Sequence, residues 1–241
     1  MKMEPWLLVP LLAAAVLPAA VLMSYIYKKD RIEKEPKGML ASLFVLGALT
    51  VISAVAVGLI FEWILLEFTG GEGLLFVLLD NFVATALVEE GGKFLVLRLR
   101  TWKSPHFNFT FDAVVYAVAV SLGFATLENI CYVLPGDFST AILRGVLAVP
   151  GHAIDGVFMG CHYGMAKLYA MRGSTAEYSK SIRRALLVPV LLHGFYDFCL
   201  EMDSPLFLLA FFVFEIAVTL IAVKRINRLA REDGPVFPPM P

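Results

Sequence analysis

The stretch Leu87-Val88-Glu89-Glu90-Gly91-Gly92-Lys93-Phe94-Leu95 places two adjacent carboxylates and a lysine inside a largely apolar run, residues 74–97. An ionisable group at bilayer depth costs about 3 kcal/mol on insertion scales, so such groups usually serve a function or pair with one another. Glu89 and Lys93 are four apart and share a helix face, so we expect them to pair. Glu90 points about 100° away and is expected to lack that partner. The stretch therefore indicates a membrane helix that carries either a functional site or a structural ion pair.

The composition is that of a protein embedded in a bilayer. The chain has 241 residues, of which 59% are hydrophobic and only 17% are charged, so it is not a soluble globular domain. Its formal net charge of −1 gives no indication of nucleic-acid binding, and no nucleic-acid partner is expected. The three cysteines lie singly within hydrophobic runs, so we expect neither a zinc ribbon nor a disulfide framework.

Seven apolar runs predict an all-α fold, a polytopic transmembrane bundle of about seven helices. The first ends directly in Lys28-Lys29-Asp30-Arg31, a flank that stops transfer, so we interpret it as a retained helix. An interruption is expected in the fifth run, at Pro150-Gly151-His152. The runs are residues 6–27, 39–68, 74–97, 111–134, 141–169, 185–200 and 206–223.

The basic residues alternate between the two sides of this bundle. Lys and Arg cluster after the first, third and fifth helices and in the tail, which defines a basic side. The loops 69–73, 135–139 and 201–205 contain acids and no Lys or Arg, and define an acidic side. The positive-inside rule then predicts an outer N-terminus and a cytoplasmic C-terminus, in a multi-pass protein of the cytoplasmic membrane. Three regions follow: residues 1–37, a first helix with a cytoplasmic basic loop; 38–223, a membrane-embedded core; and 224–241, a cytoplasmic tail.

Polar residues recur inside four consecutive predicted helices. At 1.5 Å per residue, most of them lie roughly 15–25 Å below the acidic side, with the fourth helix's cluster shallower at roughly 10 Å. Clusters near one level can converge on a single water-containing cavity, although each alone could serve packing. The clusters are Glu89, Glu90 and Lys93; Glu128 and Asn129; His152 and Asp155; and His193 and Asp197.

Two histidines and several carboxylates suit a catalytic zinc site, which holds three protein ligands and leaves a position for water. Asp197 is one turn from His193 and can orient it or act as a ligand, and Asp155 can do the same for His152. There is no contiguous His-Glu-x-x-His motif. Arg144 is expected either to reach the outer interface or to meet a carboxylate.

Four motifs resemble the PrsW family of intramembrane proteases. Glu89-Glu90-Gly91-Gly92-Lys93 fits the family's Glu-Glu-x-x-Lys motif, and Phe124-Ala125-Thr126-Leu127-Glu128-Asn129 fits its second motif. Pro150-Gly151-His152-Ala153 and Leu192-His193-Gly194-Phe195-Tyr196-Asp197 are similar to its third and fourth motifs, in the family's order. The resemblance covers about residues 75–200. The double glutamate is also shared with the broader group of CAAX-type membrane proteases, which have a histidine where Glu128 stands here.

The resemblance implies site-1 type proteolysis of a membrane-anchored protein substrate, such as an anti-sigma factor. It implies that Glu89, Glu90 and His152 or His193 are essential. Because a catalytic zinc ion usually has three protein ligands, we favour zinc held by Glu128, His152 and His193, with Glu89 or Glu90 activating the water. Residues expected to surround and orient this set are Lys93, Asn129, Asp155 and Asp197. In a metal-free alternative, Glu89 and Glu90 polarise the water directly, with the histidines as oxyanion partners.

Two other classes of function are compatible with the residues. A proton- or cation-coupled transporter would also carry Glu, His and Asp across several helices. It would need a polar path from side to side, and the inner ends of the fourth to sixth helices are apolar. A non-catalytic scaffold would keep the same residues for packing. The peptidase interpretation predicts a membrane protein substrate and the lipid bilayer as partners.

Overall fold

A computed structural model describes the backbone of residues 5–135 and 138–237. Residues 1–4 and 238–241, at the outer ends of the predicted first and third regions, lie outside the described residues, as do Gly136 and Asp137 of the second acidic-side loop. The helices are α1 (Pro5–Lys29), α2 (Lys37–Thr69), α3 (Gly73–Leu79), a π-helix (Asp80–Leu87), α4 (Val88–Thr101), α5 (Asp112–Val133), α6 (Phe138–Val146), α7 (Ala148–Met171), α8 (Thr175–Glu201) and α9 (Pro205–Leu229).

The predicted all-α bundle is confirmed. The segments α3, π-helix and α4 are continuous and form the third predicted helix, while α6 and α7 divide the fifth. Five of the seven helical segments are long and apolar enough to cross a membrane. The other two contain more ionisable residues, among them Glu89, Glu90 and Lys93 in the third helix and His193 and Asp197 in the sixth. Within the described residues, β pairing is limited to one isolated bridge, Phe109 with Pro235. The orientation of the termini stays a prediction.

The interruption of the fifth helix is displaced from the predicted position. The break falls at Leu147, and α7 begins at Ala148. Pro150 therefore lies in the first turn of α7, where a missing backbone N–H breaks no hydrogen bond within the helix. The expectation of a break at Pro150-Gly151-His152 is wrong for that reason, and His152 lies on a regular helix.

Two helices are longer than the apolar runs predicted. The sixth begins at Thr175 rather than residue 185, because a helix that leaves the bilayer continues with polar residues once it reaches water. The seventh extends to Leu229, six residues beyond the last residue of its run, for the same reason. Both extensions lie on the basic side.

The centre of the bundle is the contact between α5 and α7. Gly156, Gly160 and Gly164 line one face of α7, and a Cβ on Gly160 would lie 2.5 Å from the Cα of Val114. Small residues let membrane helices approach closely and pack by van der Waals contact. The close approach holds His152, which lies on α7, against the end of α5 that carries Glu128.

The basic side of the bundle is closed. Phe107, Tyr116 and Tyr163 are fully buried there, and the ring of Phe107 stacks on Tyr163 and meets Tyr116 edge to face. The chain's last described residues pair with the loop that follows Phe107, because the N–H of Thr110 donates to the carbonyl of Gly234 and the N–H of Val236 donates to the carbonyl of Asn108. Because these rings fill the basic half of the bundle, the interior is reached from the acidic side.

Candidate active site

A cavity of about 580 Å³ enters the bundle from the acidic side. Side chains from the π-helix and from α4, α5, α6, α7, α8 and α9 contribute to its wall, so it lies at the point where the four predicted polar clusters meet. The polar or charged residues of the wall include Glu89, Glu128, Arg144, His152, Asp155, His193, Tyr196, Asp197, Glu201 and Glu215.

The π-helix Asp80–Leu87 precedes the two glutamates directly. Its wider turns shift the register of the helix, and π segments occur frequently at functional sites. The ring of Phe82 packs against Gly194, where a Cβ would lie 2.5 Å from the ring. This contact brings the start of α4 against α8 and so sets Glu90 beside His193.

Lys93 lies at the centre of the buried charges. Its Nζ donates to Oε1 of Glu90 at 2.6 Å and lies 3.7 Å from Oε2 of Glu89. The expected pair of Lys93 with Glu89 is therefore present, whereas the expectation that Glu90 lacks this partner is wrong, because Glu90 is the closer of the two carboxylates. Residues three apart are also neighbours on a helix, and the fully buried Glu90 needs the closer cation more than the partly open Glu89 does. The Nζ also lies 3.9 Å from the centre of the Phe124 ring, a cation–π contact.

Each histidine has one ring nitrogen towards the centre and the other towards a carboxylate. Nδ1 of His152 lies 3.0 Å from Nζ of Lys93, and its Nε2 lies 3.0 Å from Oε2 of Glu128. Because an ammonium can only donate, this Nδ1 accepts and Nε2–H donates to Glu128. Nδ1 of His193 lies 2.9 Å from Oε1 of Glu90, and its Nε2 lies 3.1 Å from Oδ2 of Asp197. The two rings are 5.2 Å apart.

Arg144 holds Glu128 from the outer side of the cavity. Its Nη2 donates to Oε2 of Glu128 at 2.7 Å, and its Nε donates to Oδ1 of Asn129 at 3.2 Å. The guanidinium also lies 3.9 Å from the centre of the Tyr132 ring. We expected Arg144 either to reach the outer interface or to contact a carboxylate, and the structure shows the contact with a carboxylate.

Four residues offer ligand atoms close to one another. Glu89, Glu90, His152 and His193 each offer one atom, and these atoms all lie within 4.8 Å of one another. Within the described residues, Oε2 of Glu89 and of Glu90 are buried and have no hydrogen-bond partner. Imidazole nitrogens and carboxylate oxygens are the donors of catalytic zinc sites, so these residues fit a metal ion. Glu128, predicted as a ligand, lies outside this group and contacts His152 instead.

The remaining predicted residues divide into two kinds. Lys93, Asn129 and Asp197 contact members of the site directly or through Arg144. Asp155 is buried and lines the cavity, but it forms no hydrogen bond with His152 in the described structure. The sequence interpretation left Arg144 outside the site and gave Glu215 no role, although a lone charge in an apolar run is the signal that marks each of them.

Comparisons with known proteins agree with this geometry. The model of the family described as PrsW family intramembrane metalloprotease matches residues 35–223. A protein named Protease PrsW from Bacillus subtilis (strain 168) is 35% identical over 206 residues, which cover 85% of this chain and 89% of the relative. The Protease PrsW of Oceanobacillus iheyensis is 35% identical over 218 residues, with 90% and 95% covered. That of Clostridioides difficile (strain 630) is 30% identical over 241 residues, with 98% and 96% covered. No solved structure matches the chain.

Proposed function

This chain belongs to the PrsW family of intramembrane proteases, and from that premise we propose that it hydrolyses a membrane-anchored protein substrate by activating a water molecule at the Glu89-Glu90 centre. The proposed substrate class is anti-sigma-factor-like proteins, cleaved in a site-1 type reaction. The observation that supports a hydrolytic centre most directly is the group of four ligand atoms within 4.8 Å of one another. It lies beside the cavity of about 580 Å³, a volume within the range of ligand-binding pockets.

Glu89 is the proposed general base. It lines the cavity, whereas Glu90 is fully buried and held by Lys93 and His193. Where its side chain faces the cavity, the Glu89 carboxylate can accept a proton from a water molecule and later return it to the leaving amine. Glu90 does not line the cavity, so its proposed role is to bind a metal ion rather than to exchange protons with the substrate.

Glu90, His152 and His193 are the proposed metal-binding residues. A zinc ion bound there would polarise both the attacking water and the scissile carbonyl. Glu90 replaces Glu128 of the set that we predicted from the sequence, because Glu128 lies outside the group of four ligand atoms and contacts Nε2 of His152. A carboxylate at that position orients the imidazole and raises its basicity. A metal bound through Nδ1 of His152 would take the place of the hydrogen bond that this nitrogen accepts from Lys93.

The other proposed roles concern orientation and location. Asp197 orients His193 as Glu128 orients His152, while Lys93 offsets the buried charge of Glu90. Asn129 accepts a hydrogen bond from Arg144 and so helps to hold it in place.

We propose the cytoplasmic membrane as the location of this protein, with the cavity open to the outer side. Water and the outer segment of the substrate would then both reach the site from that side.

The test is metal content and cleavage measured on the same purified preparations. We expect about one zinc per chain in the native protein, prepared without chelators, and little or none in His193→Ala, since structural and catalytic zinc sites lose affinity steeply when a ligand is removed. Glu89→Gln should retain its metal and lose cleavage of a membrane-anchored model substrate by at least about a hundredfold.

Control and contrary outcomes separate the two mechanisms. Glu72→Gln, in an exposed turn of the acidic side, should behave as the native protein does. A native protein that cleaves with no bound metal would favour the glutamic alternative, in which Glu89 and Glu90 polarise the water themselves. Full cleavage by Glu89→Gln would reject the assignment of the base under either mechanism.

A further inference from the structure

A second pocket lies on the basic side of the bundle, apart from the cavity of the candidate active site. It has a volume of about 500 Å³ and lies between the first turns of α2 and the end of α4 with the turn that follows it. Its polar lining consists of Ser42 of α2 and of Arg100, Lys103 and Ser104. None of the residues that line this pocket lines the other cavity, so the two spaces are separate.

Two cations line this basic pocket, and the described chain supplies an anion for neither. Nη2 of Arg100 donates to Oγ of Ser42 at 3.2 Å, so the guanidinium lies across the gap between α4 and α2. Lys103 takes part in no hydrogen bond or ion pair within the described residues. Among the described residues that line the pocket, none is acidic. Like charges held side by side attract an anion, so the pocket fits an anionic ligand.

The pocket lies where a membrane-spanning helix begins. The candidate span of α2 begins at Lys37, and α4 runs antiparallel beside it. Two contacts fix their register: a Cβ on Gly92 would lie 3.5 Å from Cβ of Thr50 near the middle, and Arg100 reaches Ser42 at the basic end. A ligand in the pocket therefore lies at the level of the phospholipid headgroups of the adjacent leaflet.

The surface that leads from the pocket towards the bilayer centre is apolar and open. Val45 and Leu49 of α2 are each more than half exposed, and they continue the face on which Ser42 lies. Leu95 and Leu99, which precede Arg100 on α4, are also more than half exposed. A soluble anion would leave this surface uncovered. A phospholipid would cover it with its acyl chains while its headgroup occupied the pocket.

We propose that the pocket binds the headgroup of an anionic phospholipid, whose acyl chains lie along the exposed surface of α2 and α4. Arg100 has N–H groups beyond the one that contacts Ser42, and a guanidinium matches the geometry of phosphate oxygens. Lys103 contributes a compact second charge. The bound lipid bridges α2 and the helix that carries Glu89 and Glu90. Its binding does not depend on the proposed peptidase activity.

The test is the affinity of the first lipid molecule that binds, measured by native mass spectrometry of the full-length protein in a non-ionic detergent. The protein is titrated with phosphatidylglycerol and, separately, with phosphatidylcholine of the same acyl chains, which has no net charge. We expect phosphatidylglycerol to bind on the order of tenfold more tightly, and Arg100→Gln/Lys103→Gln to lose that preference. Both side chains are exposed, so their replacement leaves the packing of the bundle intact.

The matched control is Lys224→Gln/Arg231→Gln, which removes two exposed charges from the same side of the bundle and should keep the preference. Equal affinities for the two lipids in the native protein would overturn the site. A preference that survives Arg100→Gln/Lys103→Gln, or one that both double variants lose alike, would do the same. Excess inorganic phosphate should not displace phosphatidylglycerol, and displacement would assign the pocket to a soluble anion and reject the lipid.

Discussion

Among single residues, Lys93 shows how a fully buried charge is stabilised in this site. The ammonium, the Glu90 carboxylate and the Asn129 amide are all inaccessible to solvent. Separating one buried charge from its partner costs about 3–5 kcal/mol, so these groups persist only as a connected set. The set runs from Glu90 through Lys93 to His152 and on to Glu128 and Arg144. Its members define a single electrostatic unit, which explains why four helices each contribute part of it.

Arg144 is expected to act through Glu128. Arg144→Gln leaves Glu128 without its cation and free to turn away from Nε2 of His152, so we expect kcat to fall by about tenfold, with KM nearly unchanged. The pH profile of kcat should also shift, since the charge near His152 changes. Arg144→Lys should restore part of the rate, because lysine keeps the charge but lacks the fork that reaches both Glu128 and Asn129.

The measurement is the rate of cleavage of a membrane-anchored model substrate between about pH 5 and pH 9. Arg231→Gln, an exposed arginine on the basic side, is the matched control and should behave as the native protein does. A native kcat and pH profile in Arg144→Gln would show that Glu128 holds its position without the guanidinium.

Among the helices, α5 and α7 carry the geometry of the site. The glycines of α7 bring the two backbones together, and the π-helix together with Phe82 fixes α4 against α8. Close packing transmits small displacements, because a protein interior has few voids to absorb them. A methyl group at the α5–α7 contact should therefore affect both stability and the distance between Glu128 and His152.

Gly160→Ala is expected to destabilise the bundle by about 1–3 kcal/mol, since its Cβ would overlap the backbone of α5 near Val114. Gly91→Ala is the matched substitution, because nothing lies within 4 Å of the Cβ that it would add. It should raise stability by about 0.5–1 kcal/mol through helix propensity alone. Unfolding in mixed micelles, followed by circular dichroism, compares the two, and equal stabilities would contradict the close contact.

For the whole molecule, the decisive feature is a bundle closed on its basic side and open on its acidic side. The basic half contains buried aromatic rings and the C-terminal segment, which is hydrogen-bonded to the loop at Asn108 and Thr110. The acidic half contains the cavity. One entrance is sufficient for a hydrolase, because water and substrate can enter and products can leave through the same opening. The substrate therefore reaches the cavity from the compartment that the acidic side faces.

We expect the acidic side to face outwards. In a background where the exposed Cys131 is replaced by serine, Glu72→Cys should react with a membrane-impermeant maleimide in intact cells. Arg172→Cys, exposed on the basic side, should react only after the cells are permeabilised. The buried Cys161 and Cys199 serve as unreactive internal controls. The reverse labelling pattern would invert the orientation and place the cavity towards the cytoplasm.

The amino-acid sequence alone was enough for the class of fold, the number of helices and the four polar clusters. Hydrophobic runs and the alternation of basic loops are local properties, because a helix that contacts lipid must be apolar wherever it lies in the bundle. The motifs around Glu89 and Glu128, and those around His152 and His193, likewise lie within single helices and could be recognised from neighbouring residues.

The pairing inside the site depended on the tertiary structure. The structure decided which glutamate lies closer to Lys93, which nitrogen of His152 contacts Lys93 and which carboxylate Arg144 reaches. These are contacts between different turns or different helices, often far apart in the chain. A register shift from the π-helix and a break at Leu147 rather than at Pro150 rotate these side chains. Spacing along one helix gives the face on which a residue lies, but only the packing of helices against one another decides what that face meets.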